Sequence, residues 1–541
     1  MMSNNLQRKR HMVKRIIVDD IEASRGMRRN QFNNTHIKLY NRSNPIANTK
    51  KEVTHQLLNE YLENSSINGI KYFSNLLKPS IIEKIFWTVI MICSFVFLTM
   101  LLQKFWQRYS NNPTRTIIKS FYVPVFDAPF PAITICPLLP PMAKRRRKVF
   151  ESLTLPPNMT ETRGRFLVRY GPAFSNVDIP GGRDYSKDLK LLLKTNNMTL
   201  LNLVQALRPC EDLFETCMWD GTERNCSELF KVSYTFKGIC CSFNYLLEEC
   251  IAIGRDKKHD DLLKTPLFGP HTGLRVILHR EFLIEDDDNA VEEDKYIKYS
   301  TNSVGLLLFP HHPLEYVTTI APRHILQAKQ ELQIAVIPHR KQKLKGYYEE
   351  NDQGKLVPVC ADDDHIKLKY FPSYRYPNCF TSCSIRAVLN ACGCVPLYYT
   401  PMAKKYSLKL CDWEDFSCLY ENANNIRIIE NVVRENLTCE CLVPCRSISY
   451  DLQSLTLPLN GDHDFNPKLY HNLSKAQSVL KVFMKSATFI EMDTIPAADE
   501  LYLLSSLGGI FNLFLGCSFI SVLEIFYYIG LALHAKFKKS K

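Results

Sequence analysis

The run Tyr502–Leu533 holds 32 mostly apolar residues, and its length constrains the fold more than any other feature. As one straight helix it would measure roughly 48 Å, against a hydrocarbon core of about 30 Å, so it must tilt, break or protrude. Its centre, LGGIFNLFLGCSFISVLEIFYY (507–528), carries three glycines, two serines, an asparagine and Glu524. Close packing of membrane helices accounts for Gly508 and Gly509. It does not account for Glu524, because an ionised carboxylate in hydrocarbon costs at least about 2.5–3.5 kcal/mol. A water-filled path satisfies it. Two spans in one chain enclose no pore, but several copies around an axis do. A break at Gly516-Cys517-Ser518 would free carbonyl oxygens to replace water around a cation.

A second apolar run, Ile81–Leu102, has 22 residues and spans the same thickness. No signal-peptide pattern precedes it, so it is expected to act as its own insertion signal. Residues 1–80 hold 14 Lys and Arg, and the tail adds Lys536, Lys538, Lys539 and Lys541. The positive-inside rule then places both ends in the cytoplasm. The expected organisation is a cytoplasmic arm (1–80), a first span (81–102), an extracellular cysteine-rich domain (103–501), a pore-lining second span (502–533) and a short tail (534–541). The net charge of +13 follows largely from this topology and does not point to nucleic acid.

Of the 19 cysteines, Cys93 and Cys517 lie in the spans and the rest fall between Cys136 and Cys445. That density belongs to an oxidising compartment. Sequons at Asn158, Asn197, Asn225, Asn436 and Asn472 fall in the same region. The Cys-x-Cys spacings at 392–394 and 439–441 fit a disulfide framework better than zinc, and spacing alone leaves connectivity open.

Along the chain, residues 52–63 and 187–208 and the stretch SIRAVLNAC read as helical. Strands are expected at 126–141, 231–236, 274–279, 304–309, 331–338 and 478–492. KRRRK (144–148), the acidic stretch 285–294 and His311-His312 read as exposed loops. The fold class is α+β: two transmembrane helices flanking a large disulfide-rich domain.

FPAITIC (130–136), GICCSFN (238–244) and LLSSLGGIFNLFLGCSFISVLEIFYY (503–528), with the cysteine spacing, resemble the epithelial sodium channel/degenerin family, most closely its arthropod pickpocket branch. The resemblance covers nearly all of residues 65–530. It implies a plasma-membrane trimer, homomeric or with related subunits, whose outside is shaped like a hand. It implies a sodium-selective, amiloride-blockable cation channel, with sodium as the permeant and no cofactor or metal. By resemblance Gly516, Cys517 and Ser518 are the selectivity filter, and Glu524 is the pore carboxylate. Ser505 is the degenerin position, where bulky side chains hold related channels open. The implied disulfides are Cys136–Cys240, Cys217–Cys226, Cys360–Cys445, Cys379–Cys441, Cys383–Cys439, Cys392–Cys418 and Cys394–Cys411. Cys210–Cys241 is a weaker guess, with Cys250 unassigned.

The chain departs from the family at the cytoplasmic gating motif, where Asn68-Gly69 stands for His-Gly. It also lacks a tryptophan in LVPVC (356–360), which argues against proton gating of the acid-sensing type. The rival reading is a two-span cell-surface receptor of scavenger-receptor type without a pore. An ectoenzyme would need a convergent acid/base or metal constellation, and the 14 histidines are scattered.

Overall fold

The computed structural model describes residues 50–74, 80–111, 114–172, 182–256, 261–283, 304–346, 348–350, 354, 356–364, 366–422, 439, 441–459, 470, 473, 477–496 and 500–538. Most of the N-terminal arm, the acidic stretch 285–294, Asn436 and Asn472 lie outside the described residues. The chain divides into two compact units, Tyr109–Ala498 and the pair of segments Met1–Arg108 and Asp499–Lys541.

The described residues of the larger unit form fifteen strands: β1 (Thr114–Pro124), β2 (Ala132–Pro137), β3 (Phe214–Trp219), β4 (Thr222–Arg224), β5 (Phe230–Thr235), β6 (Gly238–Phe243), β7 (Leu274–Leu278), β8 (Leu306–His311), β9 (His324–Leu326), β10 (Gln330–Gln342), β11 (Tyr348–Glu350), β12 (Leu356–Pro358), β13 (Arg446–Pro458), β14 (Ser478–Met484) and β15 (Thr488–Pro496). An eight-stranded sheet runs β1-β15-β10-β14-β7-β3-β4, with β13 also paired to β10, and a five-stranded sheet runs β5-β6-β2-β8-β9. Period-2 alternation explains how they pack. Leu274, Val276 and Leu278 of β7, with Leu480, Val482 and Met484 of β14, meet Ile133 and Ile135 of β2 and Leu306 and Leu308 of β8 in one core. Each such fully buried side chain contributes about 1.5–3 kcal/mol.

A helical layer packs Leu167, Leu189, Leu192, Leu203 and Leu207 against Tyr234 and Ile239 of the smaller sheet. A third cluster joins Tyr370, Phe371, Ile385 and Met402 to Tyr245 and Tyr316.

Eight disulfides close the larger unit: Cys136–Cys240, Cys210–Cys241, Cys217–Cys226, Cys360–Cys445, Cys379–Cys441, Cys383–Cys439, Cys392–Cys418 and Cys394–Cys411. The last five are nested, with separations of 85, 62, 56, 26 and 17 residues. Their geometry has a simple origin. Cys379 and Cys383 stand four apart on the helix Tyr376–Cys392, hence on one face about 6 Å apart. Cys439 and Cys441 stand two apart, which spans a similar distance in extended chain. The sulfurs of Cys439 and Cys441 are 3.6 Å apart, so the two bonds lie side by side. The sulfurs of Cys379, Cys383 and Cys441 cluster tightly, but all three are spent in disulfides. Cys93, Cys250 and Cys517 form no disulfide, and Cys250 is buried.

Four expectations are corrected. KRRRK lies in the helix Ala143–Glu151, where Arg145 pairs with Asp212 at 2.7 Å and Glu211 at 3.0 Å. His311 and His312 are buried, and His311 ends β8. Residues 478–492 form parts of two strands separated by a bend at 485–487, where the chain leaves β7 and goes on to pair with β1. Residues 126–141 contain a strand only over Ala132–Pro137, since the flanking prolines lack the N–H a ladder needs.

Among the described residues of the smaller unit, one helix, Ile81–Gln107, is long and apolar enough to cross a membrane. Leu501–Leu515 and Phe519–His534 meet the same standard only as a pair, bent by 71°.

Candidate functional site

The helix Glu500–Leu515 stops where Gly516 takes φ +64°, a left-handed conformation that glycine adopts without steric penalty. Residues 516–518 have no regular structure, and the helix Phe519–Lys538 begins anew. Each new helix end has hydrogen-bond partners. The Gly516 N–H donates to the Asn512 carbonyl at 2.9 Å. Ser518 and Ser521 cap the second helix reciprocally: the Ser518 N–H donates to Ser521 Oγ at 2.9 Å, and the Ser521 N–H to Ser518 Oγ at 3.4 Å. The break is therefore a built feature, with local hydrogen bonds for a sequence that cannot continue one helix.

A distant segment completes it. Residues 65–69 follow the helix Lys50–Asn64. The Asn68 N–H donates to the Leu515 carbonyl at 2.9 Å, supplying a partner to an end-of-helix acceptor. The Asn68 side chain lies against Gly516, so close that a Cβ there would meet its Nδ2 at 2.4 Å. Gly69, at φ +88°, rests on Met91 and Trp87 of the helix Ile81–Asn111, and Tyr72 stacks on Trp87 at 4.2 Å. Ser66 reaches Glu524 through its N–H at 3.2 Å and its hydroxyl at 2.9 Å, and its Oγ lies 2.6 Å from Ser521 Oγ. Tyr61 meets Tyr528 edge-on at 5.3 Å.

Gly516, Ser518, Glu524, Asn68 and Gly69 thus belong to one constellation. The Cys517 sulfur is 3.9 Å from the Leu515 carbonyl. Ser505 stands apart, exposed on the helix Glu500–Leu515. It shares one face with Gly508, Gly509 and Asn512, at spacings of three, four and seven residues. Both glycines look onto open space. Ser66, Ser521 and Asn512 were not singled out in the sequence. Ser521 lies three residues from Ser518, a capping spacing that was readable, whereas nothing local marks Ser66 as the partner of a residue 458 positions away.

The described sequons are all exposed. Thr160 of the Asn158 sequon and Thr199 of the Asn197 sequon cap the helices Glu161–Tyr170 and Leu200–Leu207. Asn225 itself caps a short helix through Ser227 N–H.

Comparison with known proteins matches residues 61–528 to the family described as "Amiloride-sensitive sodium channel". The chain is 26% identical over 500 residues to sodium channel protein Nach of Drosophila melanogaster, covering 88% of each. It is 24% identical over 511 residues to pickpocket protein 28 of the same fly, covering 87% of this chain and 77% of that one. It is also 24% identical over 332 residues to the epithelial sodium channel subunit gamma of Xenopus laevis, covering 58% of this chain and 45% of that one.

Proposed function

Since the chain belongs to the amiloride-sensitive sodium channel family, we propose that it is one subunit of a trimeric, sodium-selective plasma-membrane channel blocked by amiloride. The family is one of ion channels and not of enzymes. In this reading residues 81–102 and 502–533 span the membrane, residues 1–80 and 534–541 are cytoplasmic, and residues 103–501 face outside. Related subunits or further copies of this chain complete the ring. The family match disfavours the receptor alternative.

One observation carries the reading: the second apolar run is interrupted at Gly516–Ser518, and Asn68, Ser518 and Ser521 hydrogen-bond its new ends. Irregular backbone at membrane depth is tolerated where it lines water. Carbonyls of the filter residues would replace part of the hydration shell of sodium, and Glu524 would favour cations near the inner mouth. A stimulus acting on the outer domain widens the constriction near Ser505, and sodium passes down its gradient.

The test is whole-cell current from Ser505→Val expressed in oocytes, with sodium replaced by a large organic cation as control. A standing sodium current, blocked by amiloride and altered by Ser518 substitution, is the expected result. Surface protein that carries no current, alone or with related subunits, would refute the reading.

A further inference from the structure

One row of side chains crosses the eight-stranded sheet on the face opposite its core. Met218 of β3 pairs in register with Arg275 of β7, Arg275 with Lys481 of β14, and Lys481 with Gln333 of β10. The neighbours Leu274, Val276, Leu480 and Val482 all point into the core, so Arg275 and Lys481 point the other way. The row is nevertheless covered: Arg275 is 6% exposed and Lys481 8%.

Two cations thus stand directly opposite each other on adjacent strands, an arrangement that repels, inside a shielded site where a charge needs a partner. Lys481 has one in Glu331, at 2.7 Å. That carboxylate is already crowded, accepting from Gln333 Nε2 at 2.5 Å and from the Tyr470 hydroxyl. Arg275 has no such partner among the described residues. Its Nε is buried with no hydrogen bond, and among the described residues no carboxylate forms an ion pair with it. The nearest other acid along β3, Glu215, is engaged by Gln477 and lies 3.9 Å from His279. Among the described residues the tally is two positive charges and one negative, with the guanidinium Nε lacking an acceptor. The surrounding wall is apolar, including Ile277, Val479 and Met218.

We propose that a small inorganic anion of halide size binds between the Arg275 guanidinium and the Lys481 ammonium. Arg275 supplies directed N–H donors, and Lys481 supplies hydrogens not used by Glu331. Placed there, the anion neutralises the cross-strand repulsion and ties β7 to β14. The rival source of negative charge is the chain itself, since Asp462 and Asp464 lie between β13 and β14 in sequence.

The experiment compares thermal unfolding of the purified full chain in sodium chloride and in sodium methanesulfonate at equal ionic strength. The midpoint is expected to rise saturably by about 2 °C in chloride. Arg275→Met and Arg275→Gln are expected to lose that rise, while Asp462→Asn with Asp464→Asn keeps it. Equal wild-type midpoints in the two salts, or a chloride rise that survives in both Arg275 variants, would overturn the site. So would a rise lost in the double aspartate variant. Should neither Arg275 variant fold, bromide soaked into crystals of the wild-type chain decides. An anomalous peak between Arg275 and Lys481 supports the site, and peaks only elsewhere, or none, refute it.

Discussion

The side chain of Asn68 occupies the space that a Cβ on Gly516 would need. The clash distance is 2.4 Å, against an amide whose neighbouring backbone N–H already holds the Leu515 carbonyl. Gly516→Ala therefore faces two penalties: the collision, and a left-handed backbone that costs a residue with a Cβ about 1–2 kcal/mol. Sodium current from Gly516→Ala is expected to fall severely at unchanged surface expression. Adding Asn68→Gly removes the collision but not the backbone strain, so it should restore the current in part. Full restoration, or none, would count against this geometry.

Ser66 and Glu524 share two hydrogen bonds, so the carboxylate is oriented by the arm as well as by its own helix. The hydroxyl bond is solvent-accessible, which limits it to about 1 kcal/mol. Ser66→Ala and Glu524→Gln are each expected to shift open probability. The double variant should shift it by less than the sum of the two, by a coupling of about 1 kcal/mol. Strict additivity in a single-channel mutant cycle would show that the bond has no role in gating.

His311 anchors a buried polar chain across the smaller sheet. Its Nδ1 faces the His312 carbonyl at 2.9 Å and its Nε2 faces Thr134 Oγ1 at 2.8 Å. Thr134 meets Ser242 at 2.6 Å, and Ser242 meets Ser233 at 2.6 Å. A carbonyl only accepts, so Nδ1 carries the proton and Thr134 donates to Nε2. Burial pushes the imidazole down to about 4. Between roughly 6.5 and about 4 the unfolded chain binds the extra proton, so this stability is present above that window and lost as pH falls through it. Glu248, raised by burial to about 7, and Glu315, also raised by burial, act in the opposite sense. The difference between wild type and His311→Gln isolates the histidine. Wild type should lose on the order of 3 kcal/mol relative to the variant from pH 7 to pH 4. Parallel stability curves for the two proteins would refute this.

Asn158 and Asn197 share one loop cluster. Thr154 N–H donates to Asn196 Oδ1 at 2.7 Å, and Asn196 Nδ2 donates back to the Thr154 carbonyl at 2.9 Å. Both sequons are exposed there, so glycans on them would project from the same surface. Asn158→Gln and Asn197→Gln should each remove one deglycosylation-sensitive step in gel mobility while leaving the current intact. If neither substitution changes mobility, the outside placement of this region loses its support.

How much was legible depended on whether the cause was local. The break at Gly516–Ser518 could be read because excess length and a glycine lie in one stretch. The β7 and β10 strands could be read from β-branched and apolar runs. The helix through KRRRK could not, because it is held by Asp212 and Glu211, more than sixty residues away. His311 looked like a loop residue beside prolines, and its burial depends on bonds to the His312 carbonyl and to Thr134 on the neighbouring strand. The contact of Ser66 with Glu524 joins opposite ends of the chain and leaves no periodic trace.

The pairing of β1 with β15, in which Thr114 lies opposite Pro496, bears on biosynthesis. The strand made first in the larger unit waits for the strand made last. β10 likewise finds β14 and β15 only after some 140 further residues have followed it. Pairings this distant in sequence form slowly and leave strand edges exposed meanwhile. The nested disulfide loops lie between these partners, span fewer residues than the strand pairings, and can close first. Assembly thus has an imposed order, and a chain truncated before residue 488 would leave β1 with no strand to join.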